Sequence, residues 1–174
     1  MKAFNILFLI VLTSSTQVKS QVTISKLDIS RIQKSTLLKI LKSNSDYYYE
    51  TPVWTYFDSD STYYLKDTIV IMNNNEYFYP DKDYCFQTRW KFVNLKKNYI
   101  NIQEGAYLCT EPPKGARITF YEVKVKTENK KIFIHLLDAN SKITEKLEVL
   151  QIETVATTGS CTPYRIMMYR HKLK

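Results

Sequence analysis

In short segments between residues 53 and 153 apolar side chains recur at every second position, a period that suits a half-buried β-strand and not an amphipathic helix. The pattern is clearest at residues 86–103. Phe86, Thr88, Trp90 and Phe92 share one face, and Gln87, Arg89 and Lys91 share the other. After the polar stretch 94–98, Ile100 and Ile102 resume the apolar face, while Tyr99, Asn101 and Gln103 take the polar one. One dry side and one wet side is the mark of an antiparallel sheet laid over a core. A hairpin centred on Lys97 sets Phe92 opposite Ile102 and keeps both apolar sets together, which a slip of one residue would not.

The same reading predicts strands at 53–57, 68–72 and 76–79, the last two joined by Asn73-Asn74-Asn75 and stopped by Pro80. Asn tolerates the left-handed backbone of tight turns. Glu111-Pro112-Pro113-Lys114-Gly115 is a firm break before a strand at 118–126. In that strand the apolar phase passes from Ile118 and Phe120 to Tyr121, Val123 and Val125, which predicts a bulge. Residues 131–137 turn Ile132, Ile134 and Leu136 inward, and 146–153 closes the series. About eight strands in unbroken order, with no helix between them, predict an all-β chain forming a small up-and-down antiparallel β-barrel. The basic tail, 161–174, alternates at Tyr164, Ile166 and Met168, and either adds an edge strand or packs outside the barrel.

The beginning of the chain is different. Lys2 precedes the aliphatic run 6–12, small polar residues follow, and no acidic residue occurs before Asp28. That order is expected of a secretory signal peptide over residues 1–20. Residues 21–52 are expected to hold one helix, at 25–43, and a loop. Ile29, Ile32, Leu37, Ile40 and Leu41 fall near one helical face there, which suits a lid packed on the barrel. The barrel itself spans 53–158 and the basic tail 159–174. No later stretch is long and apolar enough to form a transmembrane helix.

The formal charge of +8 falls to +6 without residues 1–20, which remove two of the 25 Lys and Arg and none of the 17 acids. The basic residues are scattered through the strands and form no dense run, so nucleic acid is not an expected partner. Only 3 Gly occur, too few for a glycine-rich phosphate loop to be expected.

Trp54, then Asp67-Thr68-Ile69-Val70-Ile71 with Asn75-Glu76-Tyr77, then Thr88-Arg89-Trp90-Lys91-Phe92 with Ile100-Asn101-Ile102, then Tyr121-Glu122-Val123-Lys124-Val125 with Lys131-Ile132-Phe133-Ile134 follow one another along the chain. This succession resembles the bacterial lipocalin-like domain family over residues 53–153. Pro52-Val53 and Thr88 stand where that family commonly carries glycine before each Trp. The resemblance implies ligand binding without naming a ligand.

Export permits a disulfide. The register centred on Lys97 sets Cys85 opposite Cys109 on the polar face, at a separation a disulfide tolerates. The competing pairing, implied by the way lipocalin tails are often tied, joins Cys161 to one of them. Three Cys leave one thiol free in either case.

Little points to catalysis, and the chain is not expected to be an enzyme or to carry a cofactor. His135 is expected on the outer face of its strand and His171 in the tail, with no metal-ligand spacing around either. Asp58/Asp60 and Asp81/Asp83 lie in turn-like segments and read as solvated loop charges. Two functions remain. In the first, an exported binding protein holds a small apolar ligand inside the barrel against Trp90, Phe92, Ile100, Ile102 and Phe120. In the second, the protein binds another protein or an envelope polymer, through its basic tail or an aromatic patch of Tyr47, Tyr48, Tyr49, Trp54, Tyr56, Tyr63 and Tyr64.

Overall fold

A computed structural model describes residues 23–43, 51–58, 63–73, 86–106, 117–156 and 162–173. The expected signal segment, the three cysteines, residues 47–49, the expected strand at 76–79 and the pair Asp81/Asp83 lie outside them. Among the described residues the alternating segments become strands: β1 Ile24–Leu27, β2 Val53–Asp58, β3 Thr68–Met72, β4 Phe86–Asn94, β5 Tyr99–Ala106, β6 Arg117–Glu128, β7 Lys131–Leu137, β8 Ile143–Val155 and β9 Tyr164–His171. One helix, α1, covers Lys34–Leu41, and short 3-10 turns cover Ile29–Arg31 and Tyr63–Leu65.

All pairings are antiparallel. Neighbours run β8-β7-β6-β5-β4-β2-β3-β9, and a β8–β9 pairing closes these eight strands into a barrel. The six strands from β4 to β9 follow in chain order, whereas β2 borders β4 and β3 borders β9. The tail therefore supplies a wall strand, β9, and not an outside flap. β8 is long enough to pair with β7 near its start and with β1 at its end, where Leu27 faces Ile152.

The inward rows interlock across strands. Trp54 faces Trp90, Trp90 faces Ile102, and Phe92 faces Ile100. Val123 faces Leu136, and Ile134 faces Leu147. An irregularity between Val149 and Gln151 resets the phase of β8, so that both Val149 and Ile152 reach the core. At the β6–β7 hairpin, Glu128 pairs with Lys131, and Asn129 and Lys130 both take positive φ, as a two-residue turn demands.

Four expectations are corrected. The helix does not fill 25–43: residues 24–27 form β1, because β8 offers an open edge there, and α1 begins only at Lys34. The β4–β5 hairpin sets Phe92 opposite Ile100, not Ile102, since the strands close at Asn94 and Tyr99 and an irregularity between Phe92 and Asn94 shifts the register; the faces are kept, but the register that suggested the Cys85–Cys109 pairing is not the observed one. β6 shows no bulge and runs in one register against both β5 and β7. Tyr121, Val123 and Val125 then belong to the core, and Phe120 stands on the outer face, 61% exposed. Last, the described members of the aromatic set expected on the surface divide: Trp54, Tyr56 and Tyr63 are buried and Tyr64 is exposed.

Candidate functional site

The two ends of the barrel are built from different chemistry. At one end α1 lies across the opening with Leu37 and Leu41 fully buried. The Trp54 indole donates to the Leu41 carbonyl at 2.8 Å, so the last helical turn is tied to the start of β2. Asn73 extends this seam, its side-chain oxygen accepting from the Tyr164 amide at 2.6 Å.

The middle of the barrel is filled. Trp54, Trp90, Phe92, Ile100 and Ile102 have at most 1% of their surface accessible. Four of the five residues expected to line a ligand cavity, Trp90, Phe92, Ile100 and Ile102, are thus brought together but packed against one another, and the fifth, Phe120, faces away.

The opposite end, called the mouth here, is polar and aromatic. The 3-10 turn Tyr63–Leu65 folds over it between β2 and β3. Tyr63 is buried, stacks edge-on against Tyr56 at 5.3 Å, and accepts a hydrogen bond from the Trp90 indole at 3.1 Å. Arg170, near the end of β9, holds the turn from below. Its Nη1 donates to the carbonyls of Tyr63 at 2.6 Å and Lys66 at 3.0 Å, and its guanidinium lies over the Tyr63 ring at 4.7 Å.

Arg170 also meets Glu145 of β8, donating from Nε to Oε2 at 3.2 Å. Nη2 lies equally near that oxygen but without hydrogen-bond alignment. The second carboxylate oxygen of Glu145, Oε1, is buried with no partner. Burial raises the Glu145 pKa above the usual carboxylate range; Arg170 opposes the rise and the nearby Glu104 adds to it.

Glu104, on β5, contributes a second buried oxygen without a partner. Tyr64 stands close enough to Glu104 and to Tyr121 for each of them to act on its hydroxyl electrostatically. Burial is the leading cause that raises the pKa of Tyr63, Tyr64 and Tyr121 alike, so all three stay neutral donors at physiological pH. Arg117 pairs in register with Glu104 but is exposed, and no ion pair joins the two. The site therefore gathers two carboxylates, one partly buried guanidinium and three phenols around one end of a closed barrel.

None of Glu104, Glu145, Arg170 or Tyr121 was singled out as functional from sequence, although a signal exists. Ile100, Ile102 and Glu104 share a phase, as do Glu145, Leu147 and Val149, and Ile166, Met168 and Arg170. A charge standing in the inward phase of an apolar row must either find a partner or serve one.

The histidines lie elsewhere. His135 points outward, as expected, but is only 4% exposed, because Phe133, Glu128 and Lys146 cover it. Burial lowers its pKa, with Glu128 opposing. His171 pairs with Glu148 at 2.9 Å. Among the described residues no three His, Cys, Asp or Glu side chains stand where they could hold a metal ion, and no helix is long and apolar enough to cross a membrane. The chain matches no protein-family model, no curated protein and no solved structure.

Proposed function

We propose that this chain is an exported, lipocalin-like binding protein whose ligand seats at the mouth of the barrel and not in its apolar middle. The observation that carries the reading is the pair of buried carboxylate oxygens on Glu104 and Glu145 that have no partner. An unpartnered buried acceptor costs free energy, and a ligand donor would offset that cost. The surrounding Tyr63, Tyr64 and Tyr121 supply aromatic faces and hydroxyls of the kind that orient small molecules. The complete burial of Phe92, Ile100 and Ile102 beside Trp90 favours this place over that one.

The test is native mass spectrometry of the processed chain purified from its own host. A bound small molecule is expected, and Tyr64→Ala should lose it while Phe120→Ala, on the outer wall, keeps it. Recovery of an empty chain, or equal retention by both variants, would remove the reading.

A second reading, docking of another protein, is favoured by one observation: Ile118 and Phe120 stand exposed on the outer face of β6, 51% and 61% accessible. Cross-linking from position 120 in the native host separates it from the first.

A further inference from the structure

We propose that the group seated at the mouth is a protonated amine. This rests on the binding reading above and adds the class of ligand.

The charge balance comes first. Two carboxylates face the site, from β5 and β8, and among the described residues one partly buried cation, Arg170, pairs with either of them. Arg170 engages one oxygen of Glu145 and the carbonyls of Tyr63 and Lys66, and its Nη2, 3.2 Å from that same Glu145 oxygen, is its one nitrogen described above without an aligned acceptor. Glu145, 7% exposed, keeps its other oxygen free, and so does Glu104. An ammonium carries three donors and no acceptor, so it can serve both oxygens at once. A neutral apolar guest would leave both oxygens unpartnered, and an anion would meet two like charges.

The walls agree with the charge. Tyr64 and Tyr121 stand near Glu104 and Glu145, and an aromatic face attracts a cation. The guanidinium of Arg170 already uses this attraction, lying over Tyr63 at 4.7 Å and Tyr64 at 5.6 Å. A divalent metal is less well served, for among the described residues no third acidic or imidazole ligand joins the two carboxylates.

Calorimetry on the full processed chain tests the inference with a matched series. The amines are 2-phenylethylamine, butylamine, putrescine and histamine; the controls are 2-phenylethanol and phenylacetate. At least one amine should bind, and 2-phenylethanol and phenylacetate should bind no less than about tenfold more weakly, the loss of a charge-assisted hydrogen bond. Glu104→Gln, whose carboxylate is not held by Arg170 and whose loss should leave the fold intact by circular dichroism, should weaken the amine by about tenfold as well. If an uncharged or anionic compound binds as well as the amines and Tyr64→Ala abolishes it, the amine is wrong while the binding site stands. If no compound binds and the natively purified chain carries no small molecule, both fail.

Discussion

The indole nitrogen of Trp90 lies 3.1 Å from the hydroxyl oxygen of Tyr63 and donates its hydrogen to it, joining the wall of the barrel to the turn that covers its mouth. Both groups are buried, so neither can exchange its partner for water. Removing the acceptor alone leaves an indole N–H unsatisfied. Tyr63→Phe is therefore expected to destabilise the fold by about 1–3 kcal/mol while retaining the edge contact with Tyr56. Urea unfolding followed by tryptophan fluorescence measures it; an unchanged midpoint would mean that the bond contributes nothing.

At the other end the equivalent tie is Trp54 to the Leu41 carbonyl, 2.8 Å long and buried. Trp54→Phe leaves the last turn of α1 without its anchor and opens space beside it. A loss of about 2–4 kcal/mol is expected, the unmade hydrogen bond and the cavity together. Hydrogen exchange locates the effect: amides of Lys34–Leu41 should exchange faster, with β6–β7 amides changed only by the global loss.

How much of this was legible in the chain depended on where each choice was decided. β7 runs over the residues that alternation assigned to it: Ile132, Ile134 and Leu136 hold one phase throughout, although Phe133 and Leu137 are apolar and buried in the other. β6 has two. Ile118 and Phe120 compete with Tyr121, Val123 and Val125, and the neighbours settle the matter: Ile100 faces Tyr121, and Val123 faces Leu136. A local pattern cannot see across strands, so a bulge was the natural but mistaken way to reconcile the phases. Residues 24–27 failed for the same reason, since their partner lies near residue 153. The mouth escaped because its residues, spread from Tyr63 to Arg170, meet only when the barrel closes.

His135 makes the stability depend on pH. Burial is the main cause of its lowered pKa; Lys146 and Lys126 act the same way, and only Glu128 opposes. The folded protein thus holds the ring neutral where the unfolded chain, titrating near 6.5, takes up a proton. A base with a lowered folded pKa contributes stability above the unfolded value and loses it as the pH falls towards the folded one. Urea midpoints should drop between about pH 7.5 and about pH 5.5, and His135→Gln should flatten that drop relative to the parent. Equal slopes in the two proteins would refute the assignment.

Arg170 carries the heaviest load of any side chain at the mouth, and its removal should have two separable effects. Arg170→Met leaves Glu145 buried without its counter-ion, 7% exposed beside Glu104, Tyr63, Tyr64 and Tyr121. Breaking a buried pair from one side costs about 3–5 kcal/mol. The pH response distinguishes this from lost packing. Arg170 is the influence that holds the Glu145 pKa down against burial, so without it the carboxyl rises further. An acid whose folded pKa is raised is most favourable to folding when protonated, and its contribution is lost as the pH climbs through that value. The deficit of Arg170→Met against the parent should therefore be smaller at about pH 5 than at about pH 8. Adding Glu145→Leu should remove this pH dependence and recover only part of the stability, since the carbonyls of Tyr63 and Lys66 still lack the donor that Arg170 supplied. A deficit that is the same at both pH values would place the loss in packing and take the charge out of the account.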